Sequence, residues 1–130
     1  MGARKDSRTS KDSRTSTAFA LWAVRRHDAF VRRARTIVGR NRAALNDALN
    51  RIPALHLDMP DIGNVVFPHC DVNVTKLERL LIRKYRTVIA NGRFFAARGS
   101  RDHFRLGLGR DTGEFRRGLA NLRQALRELT

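Results

Sequence analysis

The segment that decides the fold is His103-Phe-Arg-Leu-Gly-Leu108, followed at once by Gly109-Arg-Asp-Thr-Gly-Glu114. In the first six residues, apolar side chains alternate with polar residues or glycine, a period of two that is typical of a half-buried strand. Asp111 is a favoured helix cap with Glu114 three residues after it, so a helix is predicted to begin there. The apolar stripe of that helix recurs every three to four residues, through Phe115, Leu119, Leu122, Leu126 and Leu129.

A second helix is predicted between residues 73 and 85. Its apolar face repeats at helical spacing and consists of Leu77, Leu80, Leu81 and Tyr85. Thr75 and Glu78 have the spacing of a capping box, so the helix is expected to begin within a residue or two of Asn73.

Two further strands flank this helix. Gly63-Asn-Val-Val-Phe-Pro68 is a β-branched and aromatic run bounded by breakers, and Thr87-Val-Ile-Ala90 is a similar short run. Asn91-Gly92 then supplies residues that tolerate positive φ, which predicts a tight turn.

One long helix, or two abutting helices, is predicted over residues 17–52, because apolar residues recur there at three- and four-residue steps with arginines between them. Gly39 is its weakest point, since glycine costs about 1 kcal/mol relative to alanine within a helix. Before it, Lys5-Asp-Ser-Arg-Thr-Ser10 is repeated as residues 11–16. Such a polar segment is expected to be disordered, because it buries too little to offset its ordering entropy.

The predicted class is therefore α+β, with a small and mostly antiparallel sheet covered by helices and preceded by a long N-terminal helix. The predicted divisions are a disordered repeat tail at residues 1–16, a connecting helix at 17–52 and a small domain at 53–130. Length agrees with this arrangement, because 130 residues are too few for a complete two-domain enzyme.

The formal net charge is +15, which is the electrostatic signature of nucleic-acid-binding proteins. The excess is spread along the chain, however, and only four of the 27 basic residues are lysines, a bias that GC-rich codon usage also produces. A basic protein that binds nucleic acid through the arginines of the N-terminal helix is kept as the alternative function. Neither a membrane-spanning segment nor a signal peptide is indicated, and one cysteine allows no internal disulfide, so we predict a cytoplasmic protein with no membrane partner.

Taken in order, these segments resemble the C-terminal small domain of pyridoxal-phosphate (PLP)-dependent class I/II aminotransferases of fold type I. The resemblance rests on Gly63 to Pro68, Tyr85-Arg-Thr87, Gly92-Arg-Phe-Phe95, Asp102 to Gly109, and Glu114-Phe-x-x-Gly118-Leu with its leucine-rich helix. It covers about residues 17–129, and it implies that residues 17–52 are the helix that connects the small domain to a large cofactor-binding domain.

Arg105 carries the functional implication of the resemblance. In the family that the chain resembles, an arginine at this place in the strand binds the α-carboxylate of the amino-acid or keto-acid substrate. A guanidinium presents a planar, permanently charged fork that matches a carboxylate. The resemblance also brings the loop before the first small-domain strand near the substrate, so Asn64 is a second candidate for substrate binding, although a turn-forming asparagine is an equal alternative. Gly92 matches the glycine of a turn whose proline is replaced here by Asn91.

The resemblance further implies PLP as cofactor, yet the residues that hold it belong to the large domain. The expected Schiff-base lysine, the aspartate at the pyridine nitrogen, the stacking ring and the phosphate donors are not recognisable in this sequence, and Lys11 lacks the glycines and arginine that should follow it. We therefore predict a truncated aminotransferase-like protein, inactive alone, that meets an amino or keto acid only when a large domain completes it, and that can form homo-oligomers. No catalytic residue is assigned.

No metal site is predicted. The histidines and the cysteine show no recognised ligand spacing, and a surface or loop role is expected for His27, His56, His69, Cys70 and His103.

Overall fold

In a computed structural model of the chain, residues 5–92 and 102–130 are described, with side chains from residue 14 onwards. The elements in chain order are α1 (Lys5–Arg51), β1 (Leu55–His56), β2 (Val65–Val66), β3 (His69–Cys70), α2 (Val74–Tyr85), β4 (Ala90–Asn91), β5 (Phe104–Gly107) and α3 (Thr112–Leu129). The strand pairings among them are antiparallel, so the predicted α+β class is confirmed. No described helix combines the length and the apolar character that crossing a bilayer requires.

The chain divides into two units at Arg35. Up to Arg35 the described part is helix alone, and the second unit, from Thr36, contains the end of α1 with the strands, α2 and α3. The backbone of residues 5–16 is helical, whereas the repeat predicts disorder. Extending an existing helix costs far less than nucleating one, which favours continuation through a polar stretch. The predicted domain limits at residues 16 and 52 stay predictions.

β5 is the central strand of a three-stranded sheet in the order β2-β5-β4. Val65 of β2 lies opposite Gly107, and Ala90 of β4 lies opposite Arg105. β1 and β3 form a separate pair, in which His56 lies opposite His69. The predicted strands at 63–68 and 103–108 are thus confirmed at β2 and β5, while β1 and β3 are too short to produce a sequence pattern.

Both later helices begin at side-chain caps. Asn73 Oδ1 accepts hydrogen bonds from the backbone amides of Thr75 and Lys76, at 2.9 and 3.2 Å, so the predicted start of α2 is confirmed, but the predicted cap at Thr75 is wrong. Thr75 instead accepts a hydrogen bond at its hydroxyl from the Asn91 side chain. In α3, Asp111 Oδ2 accepts from the Glu114 amide at 3.2 Å, as predicted.

Gly92 is needed for close packing, and the predicted positive φ is wrong. Neither Asn91 nor Gly92 is among the described residues with positive φ, and Asn91 is buried within β4. A Cβ atom at position 92 would lie 2.4 Å from the carbonyl oxygen of His103, to which the Gly92 amide donates a hydrogen bond of 2.8 Å. Phe94 and Phe95, which the resemblance also used, lie outside the described residues.

The core of the second unit lies between the sheet and the helices. α1 contributes Leu45, α2 contributes Leu77 and Leu81, and β5 contributes Phe104, all of them fully buried. The predicted stripe of α3 packs against them, with Phe115, Leu119, Leu122 and Leu126 buried and Leu129 partly buried. This core holds β5 rigidly at the centre of the sheet.

Candidate functional site

Arg105 lies on the face of β5 that points away from the core. Phe104 is fully buried, whereas the next residue, Arg105, is exposed, as the two-residue alternation predicts. Antiparallel pairing on both sides fixes the backbone of this strand. Arg105 is therefore presented from a rigid position, which is where a binding side chain works best.

A cavity of about 650 Å³ lies beside Arg105, between β5, the start of α3 and residues 85–90. Its charged lining consists of four arginines and one glutamate, namely Arg86, Arg105, Arg110, Arg117 and Glu114. Within the described residues, the side chains of Arg110 and Arg117 have no ion pair or hydrogen bond. Because guanidinium groups remain protonated at any physiological pH, this cavity attracts an anion.

Asn64 lies at the other edge of β5. Its carbonyl oxygen accepts a hydrogen bond of 2.7 Å from the Leu108 amide, and its side chain is exposed. Asn64 is not among the residues that line the cavity of Arg105. The structure thus places the two predicted substrate-binding residues on neighbouring segments of one sheet but not in one cavity.

The loop before Asn64 is held by α1. Arg42 donates hydrogen bonds to the carbonyl oxygens of Pro60 and Gly63, the second at 3.1 Å. Gly63 has a φ of 109°, a region that glycine enters without steric cost. These contacts define the approach of the chain to β2, so Asn64 has the turn environment that was its alternative interpretation.

Asn41 is a positioning residue that sequence reasoning missed. It is fully buried in α1, and its Nδ2 donates to the carbonyl oxygens of Leu108 and Arg110, at 2.8 and 2.7 Å. It therefore ties down the connection from β5 to α3, which carries Arg110. The signal was present in the sequence, because Asn41 falls three residues after Val38 and four before Leu45, on the apolar face of α1.

Three histidines that are far apart in the sequence stack in one column. The ring centroids of His56 and His69 are 4.9 Å apart, and those of His69 and His103 are 5.1 Å apart. His56 Nε2 lies 2.8 Å from a carboxylate oxygen of Asp71, and His103 Nδ1 lies 3.0 Å from one of Asp102. Strand pairing brings these histidines together, although their positions in the sequence show no recognised ligand spacing. Even so, among residues 5–92 and 102–130 no group of three or more His, Cys, Asp or Glu side chains is arranged to hold a metal ion.

Cys70 lies beside this column in β3 but is not a surface residue. Its side chain is buried, and the thiol donates a hydrogen bond to the Val72 carbonyl oxygen at 3.4 Å. Burial, together with the negative charges of Asp102 and Asp71, raises the pKa of the Cys70 thiol. A protonated, buried thiol is a poor nucleophile, so Cys70 has a packing role.

No family model matches this sequence, and no curated protein matches it. Solved structures do match, and several of them are aminotransferases. A PLP-dependent aminotransferase from Streptococcus suis is 22% identical over 87% of this chain, with a TM-score of 0.74, and the match covers 30% of that chain. The α-aminoadipate aminotransferase LysN from Thermus thermophilus is 21% identical over 79% of this chain, with a TM-score of 0.67 and 28% of its own chain covered. The aspartate aminotransferase from Rhizobium meliloti is 20% identical over 84% of this chain, with a TM-score of 0.55 and 28% of its own chain covered.

These matches confirm the predicted resemblance at the level of the fold. Most of this chain folds like a segment of PLP-dependent aminotransferases, and it spans less than a third of the length of each of those three proteins. What those enzymes bind or transform is a property of the whole enzymes and not of this segment.

Proposed function

We propose that this chain is the substrate-carboxylate-binding small domain of a PLP-dependent amino-acid transaminase, and that it does not transaminate by itself. The observation that carries the proposal is the position of Arg105, which points outward from the central strand and lines a cavity with Arg110 and Arg117. The aminotransferase fold of the segment supports the same assignment.

The chemistry of the cavity suits a carboxylate. The two parallel N–H groups of a guanidinium pair with the two oxygens of a carboxylate, and the charge makes each hydrogen bond about twice as strong as a neutral one. Arg110 and Arg117 add positive charge that attracts the anion, while the carboxylate of Glu114 reduces the net positive charge of the cavity. Amino acids and 2-oxo acids both carry such a carboxylate, next to the carbon that bears the amino or keto group.

Two observations support the proposal that another domain holds PLP. A lysine that forms a Schiff base must lose its proton readily, so its pKa has to be lowered. Lys84 has the opposite environment, because its hydrogen bond and ion pair with Glu128 raise its pKa. No lysine is among the residues that line the cavity of Arg105. In this proposal the cofactor and its lysine belong to a large domain, and an amino or keto acid is bound productively only when that domain is joined to this one.

The first experiment tests the absence of cofactor chemistry. The purified chain is mixed with PLP and reduced with borohydride, and the modified lysines are identified by mass spectrometry. We expect scattered, substoichiometric labelling of exposed lysines such as Lys76 and Lys84. Stoichiometric labelling of one lysine, together with amino-group transfer to a 2-oxo acid, would overturn the proposal.

The second experiment tests Arg105 directly. Binding of 2-oxoglutarate to the isolated chain is measured by NMR titration and is expected to be weak. Arg105→Ala removes a charge-assisted pair, which is worth roughly 1.5–3 kcal/mol and so lowers the affinity about tenfold or more. Arg105→Lys retains the positive charge but lacks the two parallel N–H donors, so its affinity should lie between those of the parent chain and of Arg105→Ala.

The matched control is Arg83→Ala, which removes an exposed arginine of α2 outside the cavity. If Arg83→Ala weakens binding as much as Arg105→Ala does, the binding is non-specific and the assignment of Arg105 is wrong. Nucleic-acid binding through the arginines of α1 stays a prediction without a supporting contact among the described residues, as does self-association.

A further inference from the structure

A cavity of about 400 Å³ lies between the end of α1 and α3, and the proposed function does not use it. Its volume is within the range of small-molecule sites. This α1–α3 cavity is separate from the cavity of Arg105, because the two share only Leu119 among their lining residues. Arg117 lines the cavity of Arg105 and Arg123 lines the α1–α3 cavity, and the two project from different sides of α3, roughly 120° apart.

Most of the lining of the α1–α3 cavity is apolar. Six of its ten residues are apolar, namely Ala43, Ala44, Ala48, Ile52, Leu119 and Ala120. The short alanine side chains on both helices leave the space open, while Ile52 and Leu119 are buried in the core. Such a lining favours a ligand with an apolar carbon skeleton, because a hydrated ion would leave the apolar surface in contact with water.

The other four lining residues are charged. Three are arginines and one is an aspartate, which gives a formal net charge of +2. Asp47 is already paired, since its carboxylate lies 3.2 Å from Nε of Arg51, one turn further along α1. Arg116 and Arg123 have no ion pair or hydrogen bond with the described residues. Two guanidinium groups without a counter-charge therefore line this cavity, which attracts an anion.

Arg123 is the best placed of these residues to anchor an anion. Its Nε atom is buried and has no hydrogen-bond acceptor among the described residues. Arg123 also lines a second cavity of about 470 Å³, nearer the end of α3, together with Arg51 and Arg127. A guanidinium that is partly withdrawn from water without a counter-charge is costly, and a carboxylate removes that cost by accepting its N–H groups.

We propose that the α1–α3 cavity binds a small organic acid, whose carboxylate pairs with Arg123 and whose apolar skeleton lies against the alanines. Arg116 is exposed and adds electrostatic attraction for the same anion. Binding here requires neither a reaction nor Arg105.

The large domain of the proposed function is a competing source of a carboxylate. A substrate shared by both domains brings that domain to Arg105, whereas Arg123 projects from another side of α3. An aspartate or glutamate of the large domain would pair with Arg123, but its short side chain leaves most of a cavity of about 400 Å³ unfilled and the apolar lining uncovered. A free acid with a larger apolar skeleton satisfies both the charge and the lining, and inorganic phosphate satisfies only the charge.

The experiment is an NMR titration of the full, isotope-labelled chain with phenylpropionate. Saturable shift changes are expected at the methyl groups of Ala43, Ala48 and Ala120. Three further probes are the uncharged amide of phenylpropionate, N-acetylglutamate α-methylamide as a mimic of an acidic protein side chain, and inorganic phosphate. Each should bind at least about tenfold more weakly than phenylpropionate, because each lacks either the charge-assisted pair or the apolar skeleton.

Two variants locate the contact. Arg123→Ala should weaken the binding of phenylpropionate about tenfold or more, because a charge-assisted pair is lost. Ala120→Leu keeps every charge and should weaken binding several-fold by filling the cavity, and the fold should be retained because position 120 is exposed and leucine is a good helix former. Arg83→Ala removes an exposed arginine of α2 outside these cavities and should leave binding unchanged. Circular dichroism shows whether each variant is folded.

Each contrary result overturns the proposal. Absence of saturable binding excludes the site. If Arg105→Ala weakens the binding of phenylpropionate as much as Arg123→Ala does, the ligand occupies the cavity of Arg105. Equal binding of N-acetylglutamate α-methylamide assigns the cavity to a carboxylate of a partner domain, and equal binding of phosphate shows that charge alone acts. If Arg123→Ala does not fold, Ala120→Leu decides, and unchanged binding by that variant refutes the assignment.

Discussion

Replacing Gly92 by alanine tests the packing that holds the central strand in place. The added Cβ atom would lie 2.4 Å from the carbonyl oxygen and 2.8 Å from the carbonyl carbon of His103. Both atoms belong to the backbone next to β5, so no side-chain rotation can relieve the overlap. The strands must move apart, which weakens the 2.8 Å hydrogen bond between the Gly92 amide and the His103 carbonyl oxygen.

The expected cost follows from three contributions. Overpacking in a well-packed region costs about 1–3 kcal/mol, a weakened hydrogen bond costs about 1 kcal/mol, and the lower entropy of the unfolded alanine chain offsets about 0.5–1 kcal/mol. The free energy of unfolding should therefore fall by about 1–3.5 kcal/mol, and the melting temperature by roughly 5–25 °C.

Urea and thermal unfolding, followed by circular dichroism, measure the effect. Gly39→Ala in α1 is the matched control, because a Cβ atom there meets nothing within 4 Å and the position is helical. That variant should gain about 0.5–1 kcal/mol of stability. If Gly92→Ala unfolds within 0.5 kcal/mol, or roughly 3 °C, of the parent chain, the close approach of β4 and β5 is not as described and the reasoning fails.

Three further changes test other parts of the second unit. Asn41→Ala should cost about 1–3 kcal/mol in urea unfolding, because the buried Leu108 carbonyl and the partly buried Arg110 carbonyl lose their donor. Asn46→Ala, at an exposed position of the same helix, should have little effect, and equal effects would refute the positioning role of Asn41. The Cys70 thiol has a raised pKa in the folded chain, so its contribution to stability is present below the ordinary thiol pKa and is lost as the pH rises through the raised value. In urea unfolding at rising alkaline pH, Cys70→Ala should therefore lose less stability than the parent chain, and parallel plots of unfolding free energy against pH would contradict this. Hydrogen bonds from Lys84 and Tyr85 lower the pKa of Glu128, so its contribution to stability is present above the ordinary glutamate pKa and is lost as the pH falls through the lowered value. In unfolding measurements between neutral and acid pH, Glu128→Gln should therefore lose less stability on acidification than the parent chain, and an equal loss would count against the prediction.

Sequence reasoning predicted the elements that have a long periodic signal. α3 begins at Asp111 as expected, and α2 begins directly after Asn73, because capping and apolar spacing are local properties. The strand predicted at residues 87–90 lies at Ala90–Asn91 in the structure, as β4. The strands β1 and β3 were not predicted, because a strand of two residues is defined only by its pairing with another strand. The cap of α2 was misassigned because Thr75 and Asn73 both have suitable side chains, and the contact of Thr75 with Asn91 exists only in the folded chain.

The candidate site divides in the same way. The alternation around Arg105 was sufficient to predict an outward-facing arginine on a strand, and its exposure agrees with that. The cavity that joins Arg105 to Arg110 and Arg117 could not be predicted, because it depends on how α3 packs beside β5. The roles of Arg105 and Asn64 in substrate binding stay predictions.

By itself, the sequence determined the long helices, the strand that carries Arg105 and the resemblance of their order to an aminotransferase segment, because each depends on neighbours within a few residues. Only the tertiary structure decided which distant residues meet. It brought His56, His69 and His103 into one column, buried Asn41 against the end of β5, and separated Asn64 from the cavity of Arg105. The physical reason is that such contacts are set by strand register and helix packing, which no local pattern encodes.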